Sequence, residues 1–461
     1  MRIAVAQTPG TRLDAWRQTL AQIDDALAQA HRHRAELAVL PECVWPAYCL
    51  GSRAAYRAAR QGGLPAPEFF LDHLSQAARA HHMAVCAGYV EERGERLFNA
   101  AALVDVSGEV RGVHRKCFLW DFDHDYFEPG ETIEPMDTSF GRIGVLICAD
   151  ARLPEIPATL AARGAHLLLQ PTGWVNAGTP ERPWNPQPDF LVAARAAEFG
   201  VPIASASKWG LEGQTVFVGA SLICDATGEV LVQCGQRETT IAVAEVVLHP
   251  PRRAEMTAAE RGVLLSPGPA RPGAGGPVPG LWVRVVPDVS DAAELETTVR
   301  ETVRRFPAEP TLWLARPIVA PAPVSAVRQI GNTLIVGGSA DWVHDLGAAR
   351  VAAVRAQEAR TFAAIRRRAL EGAHVVVVQG NEVDERAIRA RASENRVFIV
   401  WIETAGVMVV GPTGQCLHRL HWASGSSAQS VVRLDTRLAV DKRVTNDTDV
   451  LANRRPATYA F

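Results

Sequence analysis

The stretch GRIGVLICADARLPE, residues 141–155, decides the reading of this chain. Ile143, Val145 and Ile147 alternate with other residues, the pattern of a short buried strand. Cys148 ends that strand. Residues 153–162 then read as a helix, with Pro154 and Glu155 suited to its first turn. A cysteine between a core strand and a helix stands at the carboxyl edge of a sheet, where free backbone N–H groups bind anions. That is a good place for a nucleophile. The plainer alternative is a small buried core cysteine, so the reading turns on whether a base and a cation lie elsewhere in the chain.

Working outward, strands are expected at 3–7, 37–40, 83–89, 99–105, 110–114, 166–170, 202–205, 218–224 and 230–233. Helices are expected at 13–34, 66–82 and 190–199. Strands alternating with helices, with hairpins inserted, predict an α/β fold with a mixed sheet. At residues 264–280, LLSPGPARPGAGGPVPG, proline and glycine dominate and no apolar period survives, as in a semi-rigid linker.

The same order of elements then returns. LWVRVVPD resembles the first strand, TLWLARP mirrors ELAVLPE, and GNTLIVGGSADW mirrors HHMAVCAGYVEE. EGAHVVVVQGN mirrors RGAHLLLQPTG, RARASENRVFIVWIET mirrors AARAAEFGVPIASASK, and GPTGQCLHRL mirrors DATGEVLVQC. The copies diverge at the positions that chemistry needs. Ala356 aligns with Cys148, Pro317 aligns with Glu42, and residues 281–441 contain no lysine. Glu358 and Arg360 match Asp150 and Arg152, a pair read as structural. The chain therefore divides into a catalytic domain at 1–262, a Pro/Gly-rich linker at 263–280 and a degenerate, catalytically silent domain at 281–461.

Composition narrows the function classes. A chain of 461 residues, 48% hydrophobic and 21% charged, is ordinary for a soluble protein of two or three domains. A net charge of -2 gives no basic field for nucleic acid and no polybasic membrane anchor. No apolar run approaches the roughly 20 residues that a membrane helix needs, and MRIAVAQTPG reads as a first strand rather than a leader. The eight cysteines, at 43, 49, 86, 117, 148, 224, 234 and 416, form no CxxC pair and no zinc spacing. Free thiols in a cytoplasmic protein, with no metal and no cofactor, are the expectation. Only Lys116, Lys208 and Lys442 are lysines among 48 basic residues, so a lysine here is less of a filler than usual.

A thiol is mostly protonated at pH 7 and needs a base. Glu42 follows the apolar strand LAVL and so reaches the same sheet edge as Cys148; in a closed pocket its pKa would rise toward the range useful for proton transfer. Lys116, with the backbone N–H of Ala149, would stabilise a tetrahedral oxyanion. His114, His124 and His166 raise a Cys–His alternative, but none has a spacing that selects it.

Glu42 in LPEC, Lys116 in HRKC and Cys148 in GVLICADARLPE resemble the Glu–Lys–Cys motifs of the nitrilase superfamily of carbon–nitrogen hydrolases. AVAQ near the start, YFEPG at 126–130 and GASLICDATGEVL at 219–231 support the resemblance, which is dense over residues 1 to about 250 and faint in the second copy. It implies a four-layer αββα sandwich, present twice in tandem. It implies attack by Cys148 on a carbonyl or nitrile carbon, proton transfer by Glu42 and oxyanion stabilisation by Lys116. Asp123 stands where many members carry a second glutamate, with Asp125 and Glu128 as alternatives. CADAR resembles amidase and carbamoylase branches more than true nitrilases. Trp120, Trp174 and Trp184 are expected to wall the pocket. The expected partner is a small amide or carbamoyl substrate, and a fused inactive copy would form an intramolecular pseudo-dimer with the first; homo-oligomers remain open. A catalytically silent scaffold and a nitrile-hydrolysing enzyme are the alternatives.

Overall fold

Strands and helices alternate in a mixed α/β fold, seen here in a computed structural model. It describes residues 1–266, 280–286, 297, 299–301, 304, 311–315, 328–330, 333–336, 343–347, 349–422 and 430–461. The chain forms two compact units. Unit 1 holds Met1–Ala254, Thr445–Thr448 and Ala457–Phe461; unit 2 holds Glu255–Val444 and Asp449–Pro456. The C-terminal segment is thus divided, which the sequence pattern does not foretell. Val263 and Leu264, the first residues of the linker expected at 263–280, close a helix, Ala258–Leu264, that a Thr257–Glu260 capping box begins. The remainder of that linker, 267–279, and Pro317 lie outside the described residues.

Unit 1 is built from β1 (Arg2–Pro9), β2 (Leu37–Val39), β3 (Ala84–Arg93), β4 (Arg96–Val104), β5 (Val110–Arg115), β6 (Met136–Thr138) and β7 (Gly141–Val145). It continues with β8 (Leu167–Thr172), β9 (Ile203–Glu212), β10 (Thr215–Val218), β11 (Leu222–Cys224), β12 (Val230–Gln233) and β13 (Thr240–Glu245). One sheet runs β5-β4-β3-β2-β1-β13, with β1, β2 and β3 parallel. A second runs β6-β7-β8-β9-β11-β12, with β7, β8 and β9 parallel. The sheets join where Thr8 and Pro9 pair with Lys208 and Trp209. Strands β2 and β3 pack on β8, so the two sheets make a sandwich. Of the parallel strands, β2 and β8 are buried throughout, as strands covered on both faces must be. Leu167, Leu168 and Leu169 are fully enclosed, each stabilising the fold by about 1.5–3 kcal/mol.

The unit 1 helices are α1 (Trp16–Arg32), α2 (Arg53–Gln61), α3 (Pro67–His81), α4 (Asp123–Tyr126), α5 (Glu155–Ala162) and α6 (Val192–Phe199). On α1, Ile23, Ala26, Leu27 and Ala30 form the buried stripe, at the spacing of one helix face. Helices α1 and α3 pack on the first sheet; α5 and α6 pack on the second. The sequence pattern predicts one strand over 218–224, but the chain breaks between β10 and β11. Gly219 and Ala220 both take positive φ there, 67° and 60°, which no strand residue can hold.

Unit 2 contains β14 (Leu281–Val286), β15 (Thr311–Ala315), β16 (Arg328–Ile330), β17 (Thr333–Val336), β18 (His344–Asp345), β19 (Arg350–Arg355), β20 (Val375–Gln379), β21 (Phe398–Glu403), β22 (Gly406–Val410), β23 (Cys416–His421) and β24 (Ser430–Leu434). One sheet runs β18-β19-β20-β21-β22-β23 with β19, β20 and β21 parallel, the pattern of β6 to β12 in unit 1. The other runs β16-β17-β15-β14-β24. Residues 337–343 separate β17 from β18; the corresponding interval in unit 1 holds β4, β5, Lys116 and Asp123. A buried detail recurs as well. Arg195 pairs with Glu198 and donates from Nε to the Ala151 carbonyl at 3.2 Å. Arg391 pairs with Glu394 and donates from Nε to the Ala359 carbonyl at 3.3 Å.

Candidate active site

The carboxyl ends of β2 and β8 meet where the Glu42 N–H donates to the Thr172 carbonyl. Close packing beneath that turn needs a glycine. A Cβ on Gly88 of β3 would lie 2.5 Å from the Pro41 carbonyl oxygen and 2.6 Å from the Cys43 nitrogen. Glu42 is completely buried. Its Oε1 accepts from Asn99 Nδ2 and from Lys116 Nζ, both at 2.7 Å, and its Oε2 accepts from the Gly173 N–H at 2.9 Å.

Lys116 follows β5, pinned by its own N–H to the Asn99 carbonyl. Its buried ammonium donates to Glu42 Oε1 at 2.7 Å, Asp123 Oδ2 at 2.6 Å and the Tyr48 hydroxyl at 3.1 Å. Asp123 opens α4, and its Oδ2 also accepts from the Trp120 N–H. Asp125 is exposed and Glu128 pairs with Arg53, so of the three acidic candidates only Asp123 meets Lys116.

Cys148 begins a tight helical turn, Cys148–Arg152, with φ at 45°. A non-glycine residue in the left-handed region is strained by about 1–3 kcal/mol and persists only where the surroundings hold it. Asp150 supplies that hold. Its fully buried carboxylate accepts from the Ile147, Cys117 and Phe118 N–H groups at 2.8–3.0 Å and contacts His114 Nε2 at 3.0 Å. It thereby ties the nucleophile turn to the segment that carries Lys116. Cys148 Sγ lies 3.8 Å from the Gly173 carbonyl, and the Gly173 N–H is on Glu42. Thiol and carboxylate therefore meet at a single residue, Gly173. The Ala149 N–H sits at the N-terminal edge of the turn, where N–H groups have no partner within the turn.

Burial, aided by the Glu42 charge and opposed by Lys116, pushes the Cys148 thiol up to about 12, so the resting nucleophile is the thiol. Burial also raises Glu42, against the pull of Lys116 and with the push of Asp123. Burial opposes the charge on Lys116, yet the Asp123 and Glu42 carboxylates outweigh it and hold Lys116 well above the usual lysine range. The cluster thus sets a charged ammonium between two carboxyl groups, beside a protonated thiol.

The tryptophans separate. Trp174, next to Gly173, is fully buried, and Trp120 lies beside Asp123 under the Arg152 guanidinium at 4.6 Å. Trp184 belongs to an outer loop, its indole N–H on Asp189 and its backbone N–H on Asn176. Among the described residues no histidine bonds to Cys148; His114 is on Asp150 and His124 is exposed. Sequence reasoning missed Asn99 and Tyr48. A polar residue inside the buried run NAAALV was the available signal for Asn99. Tyr48 had none beyond an aromatic-rich turn.

The family model for carbon-nitrogen hydrolases matches residues 2–253, more than half of the chain. A nitrilase of Pyrococcus abyssi is 30% identical over 230 residues, covering 50% of this chain and 83% of that protein. The chloroplastic omega-amidase of Arabidopsis thaliana is 31% identical over 243 residues, covering 50% of this chain and 63% of the relative. The crystal structure of an amidase from Nesterenkonia sp. is similar at 31% identity and a TM-score of 0.46, covering 56% of this chain and 94% of that one. Through residues 2–253 this chain belongs to the carbon-nitrogen hydrolase family of the nitrilase superfamily.

Proposed function

We propose that unit 1 hydrolyses the carbon–nitrogen bond of a linear amide or N-carbamoyl compound through a thioester on Cys148. The observation that carries this is the buried Lys116, held between Glu42 and Asp123 while Glu42 and Cys148 meet at Gly173. Glu42 takes the Cys148 proton as sulfur attacks the carbonyl carbon, then passes it to the departing amine. The Lys116 charge and the Ala149 N–H stabilise the oxyanion. Water then enters, Glu42 takes its proton, and the acid is released from a regenerated thiol. Asp123 holds Lys116 in place. Trp120 and Trp174 stand close enough to the cluster to shape the acyl site; Trp184 is the weaker candidate for that role. The relative named omega-amidase supports the amide class, and the one named nitrilase keeps nitriles as the second reading.

The test is ammonia or amine release from a panel of amides, ureido acids and nitriles, with Cys148→Ala as control. Release from an amide or ureido acid, abolished in the variant, supports the reading; release from nitriles alone supports the alternative. No release from any compound supports a silent scaffold.

We read unit 2 as a degenerate, catalytically silent copy, so that the αββα architecture occurs in tandem. The matching strand directions and the Arg391–Glu394–Ala359 arrangement support this, as do the loss of the interval carrying Lys116 and Ala356 in place of Cys148. Residual turnover by full-length Cys148→Ala above background would assign chemistry to unit 2 and overturn it.

A further inference from the structure

We propose that Tyr48 is a further catalytic residue, its phenolic O–H donating the hydrogen bond that holds the substrate carbonyl oxygen as it becomes an oxyanion. The proposal rests on the amide reading of unit 1.

The argument is a count of protons. An ammonium has three N–H groups and no lone pair. Lys116 spends all three, on Glu42, Asp123 and the Tyr48 hydroxyl. It brings positive charge to the site but no free N–H. The Tyr48 oxygen accepts from Lys116, so its own proton points elsewhere. Among the described residues no acceptor takes it. Two further oxygens of the cluster, Asn99 Oδ1 and Asp123 Oδ1, are buried without a hydrogen-bond partner, so neither takes this proton. A phenol that accepts from a cation is polarised into a better donor.

The position also fits. A Cβ built on Gly173 would stand 3.3 Å from Tyr48 Cδ1 and 3.4 Å from Glu42 Oε2, and the Gly173 carbonyl faces Cys148 Sγ. Ring, base and nucleophile therefore converge on one residue. The ring is held on every side. Glu212 Oε1 accepts from the Tyr48 and Cys49 N–H groups, and its Oε2 is paired with buried Lys208 at 2.7 Å. Tyr126 donates to the Tyr48 carbonyl, and the rings of Phe122 and Phe217 pack at 5.0 and 5.9 Å. A donor fixed before the reaction is what an oxyanion site requires. Burial and the neighbouring carboxylates hold the phenol well above its ordinary range, so it keeps its proton throughout.

The step balances. As the Sγ–C bond forms, the thiol proton passes to Glu42 and the carbonyl π pair moves onto oxygen, where the Tyr48 O–H meets it. The pair returns as the C–N bond breaks, and the amine leaves with the Glu42 proton. The substrate oxygen is an acceptor that gains charge; the amide nitrogen is mainly a donor and would not pair with this hydroxyl.

The experiment compares wild type with Tyr48→Phe. The expected result is a kcat lower by about 100-fold, in the range for loss of one oxyanion donor, with KM changed less than about threefold. Affinity for the aldehyde analogue of the substrate, which adds to Cys148 as a tetrahedral thiohemiacetal, falls by the same factor. The rate of iodoacetamide alkylation of Cys148, which forms no oxyanion, stays within about twofold. A kcat within threefold of wild type overturns the proposal. So does alkylation that slows in step with kcat, since Tyr48 would then only position Glu42 and Lys116. If Tyr48→Phe does not fold, Tyr48→p-aminophenylalanine retains a donor and is expected to keep kcat within tenfold; a 100-fold loss there contradicts the proposal. Failure of the amide reading is a separate result, a wild type that releases no ammonia or amine from any amide or ureido acid.

Discussion

Glu42→Gln changes one oxygen to an amide nitrogen in a side chain with no exposed surface. The best orientation keeps the amide oxygen at the Oε1 position, where it still accepts from Asn99 and Lys116. The NH2 group then faces the Gly173 N–H, donor against donor. One buried donor left unmet costs about 1–3 kcal/mol of stability, so the variant folds but melts earlier. The larger effect is chemical. With the thiol at about 12, roughly one Cys148 in 10^5 is ionised at pH 7 without help, and the amide takes no proton. Loss of a positioned base lowers kcat by about 10^2–10^4-fold, a barrier increase of about 3–5 kcal/mol. The assay is kcat/KM by ammonia release together with iodoacetamide alkylation of Cys148, and both are expected to fall. A folded Glu42→Gln within tenfold of wild type in both would refute the assignment of the base.

The pH dependence has a fixed sign. Glu42 works ionised and its pKa is raised, so activity is lost as pH falls through a value above the ordinary carboxylate one of 4.5. The same shift means that this group favours folding below its unfolded pKa and loses that contribution as pH rises through the raised one; the stability slope in that window is expected to shrink in Glu42→Gln and is read by denaturant titration. Asp123→Asn weakens the hold on Lys116 by about 1.5–3 kcal/mol, and kcat/KM is expected to fall by about 10–100-fold. Because Cys148 has φ at 45°, Cys148→Gly is expected to be more stable than Cys148→Ala by about 1 kcal/mol in chemical denaturation. In unit 2, Arg391→Ala removes the buried guanidinium that faces Glu394 at 2.6 Å and is expected to cost about 3–5 kcal/mol; an unchanged unfolding curve would show that the pair is not holding the unit together.

What the sequence revealed and what it concealed divide along the range of the interactions. Strand β7, its turn at Cys148 and helix α5 are local patterns, and the structure has all three in that order, with the strand ending at Val145 rather than at Cys148 and the helix starting at Glu155 rather than at 153. The scarcity of lysine drew attention to Lys116, which proves to be fully buried. Helix α2 is not legible in the sequence because RAAYRAARQ buries only Tyr56 and shows no apolar stripe. Strand β13 is not legible either, because its identity depends on pairing with β1, more than two hundred residues earlier. Asp150 was read as structural, and its hydrogen bonds to three backbone N–H groups fit that role. That Asn99 and Tyr48 join the cluster depends on which side chains face inward across strands far apart in the chain, and no local period encodes that.

The most direct measurement is the intact mass of the enzyme, quenched in acid during turnover of an active amide. The account predicts an acyl adduct on Cys148, located by peptide mapping, that disappears as substrate is exhausted and never forms in Cys148→Ala. Turnover without an adduct, an adduct on another of the eight cysteines, or an active Cys148→Ala would contradict it.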